Sequence, residues 1–109
     1  MDIGIADYKG SKLITVSGDV DMYSSPALRE QMISLIDKRV SVLLVDFNRV
    51  SYIDSSGIAT FVEALKHMKT YGGRLHLCCL PVGIKEIFGF SKLDKVFEIF
   101  GNIDDAVGN

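Results

Sequence analysis

The sequence predicts a single α/β domain over residues 1–109, with a mixed sheet of four to five strands in the order ββαβαβαβα. Three observations carry this. Short apolar, β-branched runs alternate with segments whose apolar residues recur at helical spacing. The chain opens on two short strands joined by a glycine turn, the signature of a hairpin. At 109 residues, with 48% apolar and 24% charged residues, it has the size and composition of one globular core. Right-handed crossovers are the expected links between the later strands, which gives the sheet a mainly parallel centre.

Taken in order, residues 2–8 alternate weakly through Ile3, Ile5 and Tyr8. Lys9-Gly10-Ser11 is a turn signal, and residues 12–17 (KLITVS) form the second strand. Gly18-Asp19-Val20-Asp21 then interrupts the pattern as a loop. Ser25-Pro26 opens the first helix. Serine caps free backbone amides there, and proline suits the first helical position because its missing N–H had no partner. Leu28, Met32, Leu35 and Ile36 share one face, and the helix ends near Arg39. Residues 42–47 are an apolar run broken only by Asp46, which reads as a covered central strand. The second helix carries Ile58, Phe61, Val62, Leu65 and Met68 on one stripe, with Lys66, Lys69 and Thr70 facing away. Tyr71-Gly72-Gly73 stops it, since glycine tolerates the left-handed conformation past a helix end. Residues 74–80 (RLHLCCL) form a further core strand, ended by Pro81. Val82, Ile84, Ile87 and Phe88 mark a third helix of about two turns, broken by Gly89-Phe90-Ser91. Residues 96–100 (VFEIF) alternate as the last strand, and residues 102–107 form a short terminal helix opening on Asp104-Asp105.

Composition excludes several classes of function. A net charge of -2 with no Lys/Arg cluster recommends neither nucleic acid nor an anionic membrane as partner. The apolar runs are too short to span a bilayer. MDIGIADYKG has neither the basic nor the apolar region of a signal peptide, so the expected location is cytoplasmic. Cys78 and Cys79 are adjacent in a strand, where neighbours point to opposite faces. Neither a shared metal nor a disulfide is therefore expected, and both read as small, buried or half-buried thiols in a reducing compartment. No cofactor is expected, and with no oligomer signal the expected state is a monomer that pairs with its partner.

The richest stretch is Ile53-Asp54-Ser55-Ser56-Gly57, two hydroxyls beside a carboxylate where the second helix begins. Two readings are open. In the structural one, aspartate and serine are ordinary helix caps and glycine permits close approach. In the functional one, a serine accepts phosphate: a hydroxyl at a helix start is exposed, and the free amides and helix dipole favour an anion there. Asp19-Val20-Asp21 follows the second strand as Asp54 and its neighbours follow the third. Loops at the carboxyl ends of parallel strands gather on one edge. If those strands are parallel neighbours, Asp19, Asp21, Asp54, Ser55, Ser56 and Gly57 share one surface. Phosphate adds about -1.5 to -2 charges, and a nearby carboxylate repels it strongly enough to switch a protein–protein contact off.

Enzyme readings fare worse, and no catalytic residue is expected. There is no G-x-S-x-G elbow and neither glycine-rich phosphate motif. His67 falls on the exposed side of a helix and His76 inside a strand, so neither is placed as a general base. Asp-Val-Asp after an apolar strand has the form of a haloacid-dehalogenase-type nucleophile, but the companion lysine and metal-binding aspartates are missing. Asp46 at a strand end has the form of a response-regulator receiver, which the hairpin start does not fit.

The whole pattern resembles the STAS domain, specifically the bacterial anti-sigma factor antagonists. The resemblance rests on Gly18-Asp19-Val20-Asp21, on Leu28, and above all on Val45-Asp46-Phe47 followed by residues 50–58 (VSYIDSSGI). Gly72-Gly73, Pro81 and residues 96–100 also fall where that pattern expects them, so the likeness covers nearly the whole chain. It implies a small mixed sheet with helices mainly on one face. It implies that Ser55 is phosphorylated by a cognate anti-sigma factor with serine kinase activity, that Ser56 shapes the site, and that Asp21 helps form the docking surface. It also implies partner switching. The unphosphorylated protein binds the anti-sigma factor and frees the sigma factor; phosphorylation stops this, and a serine phosphatase restores it. The same domain serves in other kinase–phosphatase switches and as an appendage of anion transporters, and the lack of a transmembrane part argues against the last. Lys92 departs from the pattern, standing where other members often have glycine.

Overall fold

Lys9 and Gly10 both take left-handed backbone (φ 49° and 84°), which a two-residue hairpin turn needs if its twist is to match its strands. They join β1 (Asp2–Tyr8) to β2 (Ser11–Val20) in the computed structural model, which describes residues 1–107. Gly108 and Asn109, the end of the expected 1–109 domain, lie outside the described residues. β3 (Val42–Ile53), β4 (Arg74–Cys78) and β5 (Glu98–Phe100) complete one five-stranded sheet in the order β1-β2-β3-β4-β5. Only β1 and β2 are antiparallel; every later pair is parallel.

The alternation of side chains along β3 decides where the helices sit. Leu43, Val45 and Phe47 point to one face and join Ile14, Val16 and Val20 of β2 in the main core. That face is covered by α1 (Ser25–Asp37), α2 (Ser55–Lys69) and α3 (Val82–Phe90). Phe47 packs between Phe61 of α2 and Phe88 of α3, with ring centroids 5.1 and 6.1 Å away. Leu44 points to the other face, where α4 (Ile103–Val107) places Ala106 against Leu44 and Cys78. Asn102 caps α4, its side-chain oxygen accepting the amide of Asp105 at 2.8 Å. The helices thus lie mainly on one face, as expected.

Several boundaries differ from the sequence reading. β2 does not stop at Ser17. Gly18 (φ 94°) and two register shifts against β3 let the strand bulge and continue, so Asp19 and Val20 belong to the strand rather than to a loop. β3 likewise runs on to Ile53. Ser25 is not a cap; it is a buried residue of α1, and Ser24 holds the cap position without a side-chain cap bond. The buried face of α2 is Gly57, Thr60, Phe61, Ala64, Leu65 and Met68, so Ile58 and Val62 sit at its half-buried margin. β4 ends at Cys78 because Cys79 leaves the extended region (φ 61°). α3 continues through Gly89 to Phe90. The last strand keeps only Glu98–Phe100, because Leu93–Lys95 forms a 3-10 turn and Phe97 folds into the core against Phe88.

Lys92 opens that turn with φ 57°. The left-handed region costs a residue with a Cβ about 1–2 kcal/mol, a penalty glycine escapes. Lys92→Gly is therefore expected to leave stability unchanged or raise it, where an average substitution costs about 1 kcal/mol. Urea denaturation of the two proteins checks this.

Candidate functional site

β2 and β3 run parallel and finish in register, Val20 beside Ile53. The amide of Asp54 donates to the carbonyl of Val20 at 3.1 Å, tying the start of α2 to the end of β2. Asp19, Asp21, Asp54, Ser55, Ser56 and Gly57 therefore gather at one edge, the C-terminal ends of these strands.

Gly57 sets how closely the helix can approach. A Cβ at this position would lie 2.8 Å from the Val20 carbonyl oxygen and 2.8 Å from Cγ1 of both Val20 and Ile53. Asp54 has extended backbone (φ -109°, ψ -173°), and its carboxylate accepts the Gly57 amide at 3.1 Å. Asp54 is thus the N-cap of α2. With capping done by Asp54, Ser55 is free of that duty. It is the first residue of α2, it is exposed, and its hydroxyl makes no hydrogen bond among the described residues. Ser56 is half-buried, and its carbonyl accepts the Thr60 hydroxyl at 3.0 Å.

The upstream aspartates behave differently from each other. Asp19 is exposed, pairs across from Tyr52, and accepts the Ser24 hydroxyl on its carbonyl at 2.8 Å. The Asp21 carboxylate turns into its own loop, accepting the amides of Tyr23 at 2.9 Å and Ser24 at 3.0 Å. These bonds, that of Ser24 foremost, hold its carboxyl below the usual carboxylate range against the opposing effect of burial. Asp21 therefore shapes the loop that displays Met22 and Tyr23, which are 61% and 87% exposed. The sequence reading missed both, because a loop has no periodicity to mark which side chains face out.

It also missed a groove beside Ser55. Ile58 and Val62 of α2 face Leu93 across a concavity of about 630 Å³, with Ser91 on its wall. Ser91 follows Phe90, which is 87% exposed. Glu63 and Lys66 add charge to this groove. Arg29 of α1 donates to Glu63 from Nε at 2.8 Å and from Nη2 at 2.6 Å. These bonds, aided by the Arg29 charge, hold the Glu63 carboxyl below its usual range against burial.

Neither histidine completes a catalytic set with these groups. His67 is exposed, 3.6 Å from Glu63. His76 is fully buried. Its Nδ1 lies 2.8 Å from the Ala106 carbonyl, which can only accept, so Nδ1 carries the proton. Its Nε2 lies 2.9 Å from the Glu98 carboxylate, an ion-pair distance without a directed hydrogen bond. Cys78 and Cys79 correct the sequence reading. They are not successive strand residues with diverging thiols, since the turn at Cys79 brings both sulfurs near the Asp46 carboxylate.

The STAS domain family model matches residues 3–106. Over 94 residues the chain is 31% identical to the anti-sigma-B factor antagonist of Bacillus subtilis, covering 86% of this chain and 85% of that protein. It is 33% identical over 96 residues to the anti-sigma-B factor antagonist of Listeria monocytogenes, covering 88% and 84%. In three dimensions it is similar to an anti-sigma factor antagonist from Mycobacterium paratuberculosis, with a TM-score of 0.89, 21% identity and coverage of 98% and 91%. It is also similar to SpoIIAA in its unphosphorylated form, with a TM-score of 0.76, 17% identity and coverage of 97% and 94%. The chain belongs to the STAS domain family, in its anti-sigma factor antagonist branch.

Two outcomes follow from this geometry. Gly57→Ala forces Val20 or Ile53 to shift and is expected to cost about 1–3 kcal/mol by urea denaturation. A carboxylate held below its usual range takes up its proton later than in the unfolded chain. The stability from Glu63 is thus complete above the usual carboxylate range and lost as pH falls through its lower folded value. Glu63→Gln is expected to flatten the acid limb of a thermal-stability profile by about 0.2–1 kcal/mol, the scale of a partly exposed pair.

Proposed function

We propose that this protein is an anti-sigma factor antagonist that works by partner switching, with Ser55 as its phosphoacceptor. The observation that carries the reading is the exposed Ser55 hydroxyl on the first turn of a helix whose cap is already supplied by Asp54. The relatives' names support the class of function, and one similar structure is of SpoIIAA in a phosphorylated form.

Unphosphorylated, the edge offers an anti-sigma factor Tyr23 and Met22 on one loop and the apolar groove along α2. The partner carries serine kinase activity and, once bound here, releases its sigma factor. Phosphate at Ser55 is tolerated by the fold, because helix N-terminal amides accept an anion. Its charge of about -1.5 to -2 joins Asp19 and Asp54 on the same edge and opposes rebinding. A serine phosphatase restores the binding form. Asp21 serves by holding the loop, and Ser56 and Gly57 by seating the first turn. The protein acts by binding rather than by catalysis, as a cytoplasmic monomer between partners. Among the described residues no helix is long and apolar enough to cross a membrane.

Ser55→Ala is expected to keep the wild-type denaturation midpoint, to retain the partner from native-host lysate, and to yield no phosphoserine. Ser55→Asp is expected to fold and to bind about tenfold or more weakly, since like-charge juxtaposition costs several kcal/mol. Mass spectrometry of what each immobilised protein retains, with calorimetry on the purified partner, reads both. Equal retention on wild type and Ser55→Asp would move control away from Ser55. Loss of folding in Ser55→Ala would make this serine a structural element instead.

A further inference from the structure

β3 and β4 are parallel neighbours with Asp46 opposite Cys78. Their side chains leave the sheet on one face, the face that carries Leu44 and α4. Cys79 would point the other way if the strand continued. Instead it takes φ 61°, a conformation uncommon for any residue with a Cβ, and its amide is held by the Phe100 carbonyl at 3.2 Å. The two sulfurs and a carboxylate oxygen of Asp46 consequently all lie within 4.8 Å of one another.

That spacing is close to what a metal ion requires. With Zn–S of about 2.3 Å and Zn–O of about 2.1 Å, a tetrahedral ion holds such donors roughly 3.6–3.8 Å apart. The ligand atoms would have to draw together by up to about an ångström on binding. The Cys78 thiol donates to the Val45 carbonyl at 3.5 Å, a weak bond that a metal ion would replace. One Asp46 oxygen accepts the Asn48 amide at 2.8 Å, an outer bond of the kind that orients a ligating carboxylate. Cys78 is buried while Cys79 and Asp46 are half-buried, so the cluster has an inner wall and a side that water can reach.

We propose that Asp46, Cys78 and Cys79 form a binding site for one thiophilic divalent cation of the zinc class, with water as fourth ligand. Two sulfurs and one carboxylate favour such an ion over magnesium or calcium, which take oxygen shells. On binding, two S–H bonds break, two metal–sulfur bonds form and two protons are released, so affinity rises with pH. Burial pushes the Cys78 thiol up, and the charge of the incoming ion is what deprotonates it. The site lies on the α4 face of the sheet, away from the groove beside Ser55, and does not depend on the reading of that serine.

The test is titration of cobalt(II) into the protein of residues 1–109 kept reduced by a phosphine. One ion per chain should produce thiolate-to-cobalt charge-transfer absorption that zinc(II) displaces and excess magnesium leaves intact. Cys79→Ser and Asp46→Asn, both at half-buried positions and checked for folding by circular dichroism, should each weaken cobalt binding about tenfold or more. Ser55→Ala should bind cobalt as wild type does. Absence of the charge-transfer band in the wild type, or undiminished affinity in either folded variant, would overturn the site.

Discussion

The arrangement depends on one contact, the seating of the first turn of α2 on the paired ends of β2 and β3. Three features make it. The parallel register ends both strands together at Val20 and Ile53. The Asp54 amide satisfies the last carbonyl of β2. Gly57 has no Cβ to meet Val20 or Ile53. A buried carbonyl without a donor costs about 1–3 kcal/mol, so the hydrogen bond and the missing Cβ act together. Moving the helix away to admit a side chain would break the bond that fixes where it starts.

From that contact the division of roles at the edge follows. Asp54 is held in extended backbone where its carboxylate meets the Gly57 amide, which leaves the next side chain, Ser55, directed outward. Asp21 closes its own loop, and the loop presents Tyr23 and Met22. The carboxylates most prominent in the sequence are thus largely employed in building the surface. The groups available to a partner are a hydroxyl, exposed aromatic and thioether side chains, and an apolar groove. In the proposed switch, such a surface would take a protein partner while Ser55 is uncharged and repel it once phosphate is added there.

Much of this was legible in the sequence, for identifiable reasons. α1 and α2 have long helical periods, and their core residues Leu28, Met32, Phe61, Leu65 and Met68 are all buried. The gathering of the aspartates with Ser55 followed from the rule that loops after parallel strands share an edge. The errors arose where one residue type serves two purposes. Gly18 marks a bulge as readily as a turn, so β2 seemed to end too soon. Val96 and Phe97 alternate like a strand, yet the left-handed backbone at Lys92 and the burial of Phe97 against Phe88 take them out of the strand and leave Val96 exposed. Alternation also set Cys78 and Cys79 on opposite faces, which the backbone of Cys79 undoes. The positive φ at Cys79 and Lys92 has no glycine to announce it in the sequence. The stripe on α2 was placed slightly off, and that shift hid the groove, because Ile58 and Val62 are apolar without being core.

The central claim is that phosphate at Ser55 changes the surface of this edge without loosening the turn beneath it. Amide NMR spectra of the isotope-labelled protein, before and after stoichiometric phosphorylation at Ser55, test it most directly. Shifts are expected to be confined to the first turn of α2, the Asp19–Tyr23 segment and the groove, with the amide of Asp54 still protected from exchange. Shifts spread through Phe47, Phe61 and Phe88, or loss of protection at Asp54, would contradict it by showing that the modification acts on the fold.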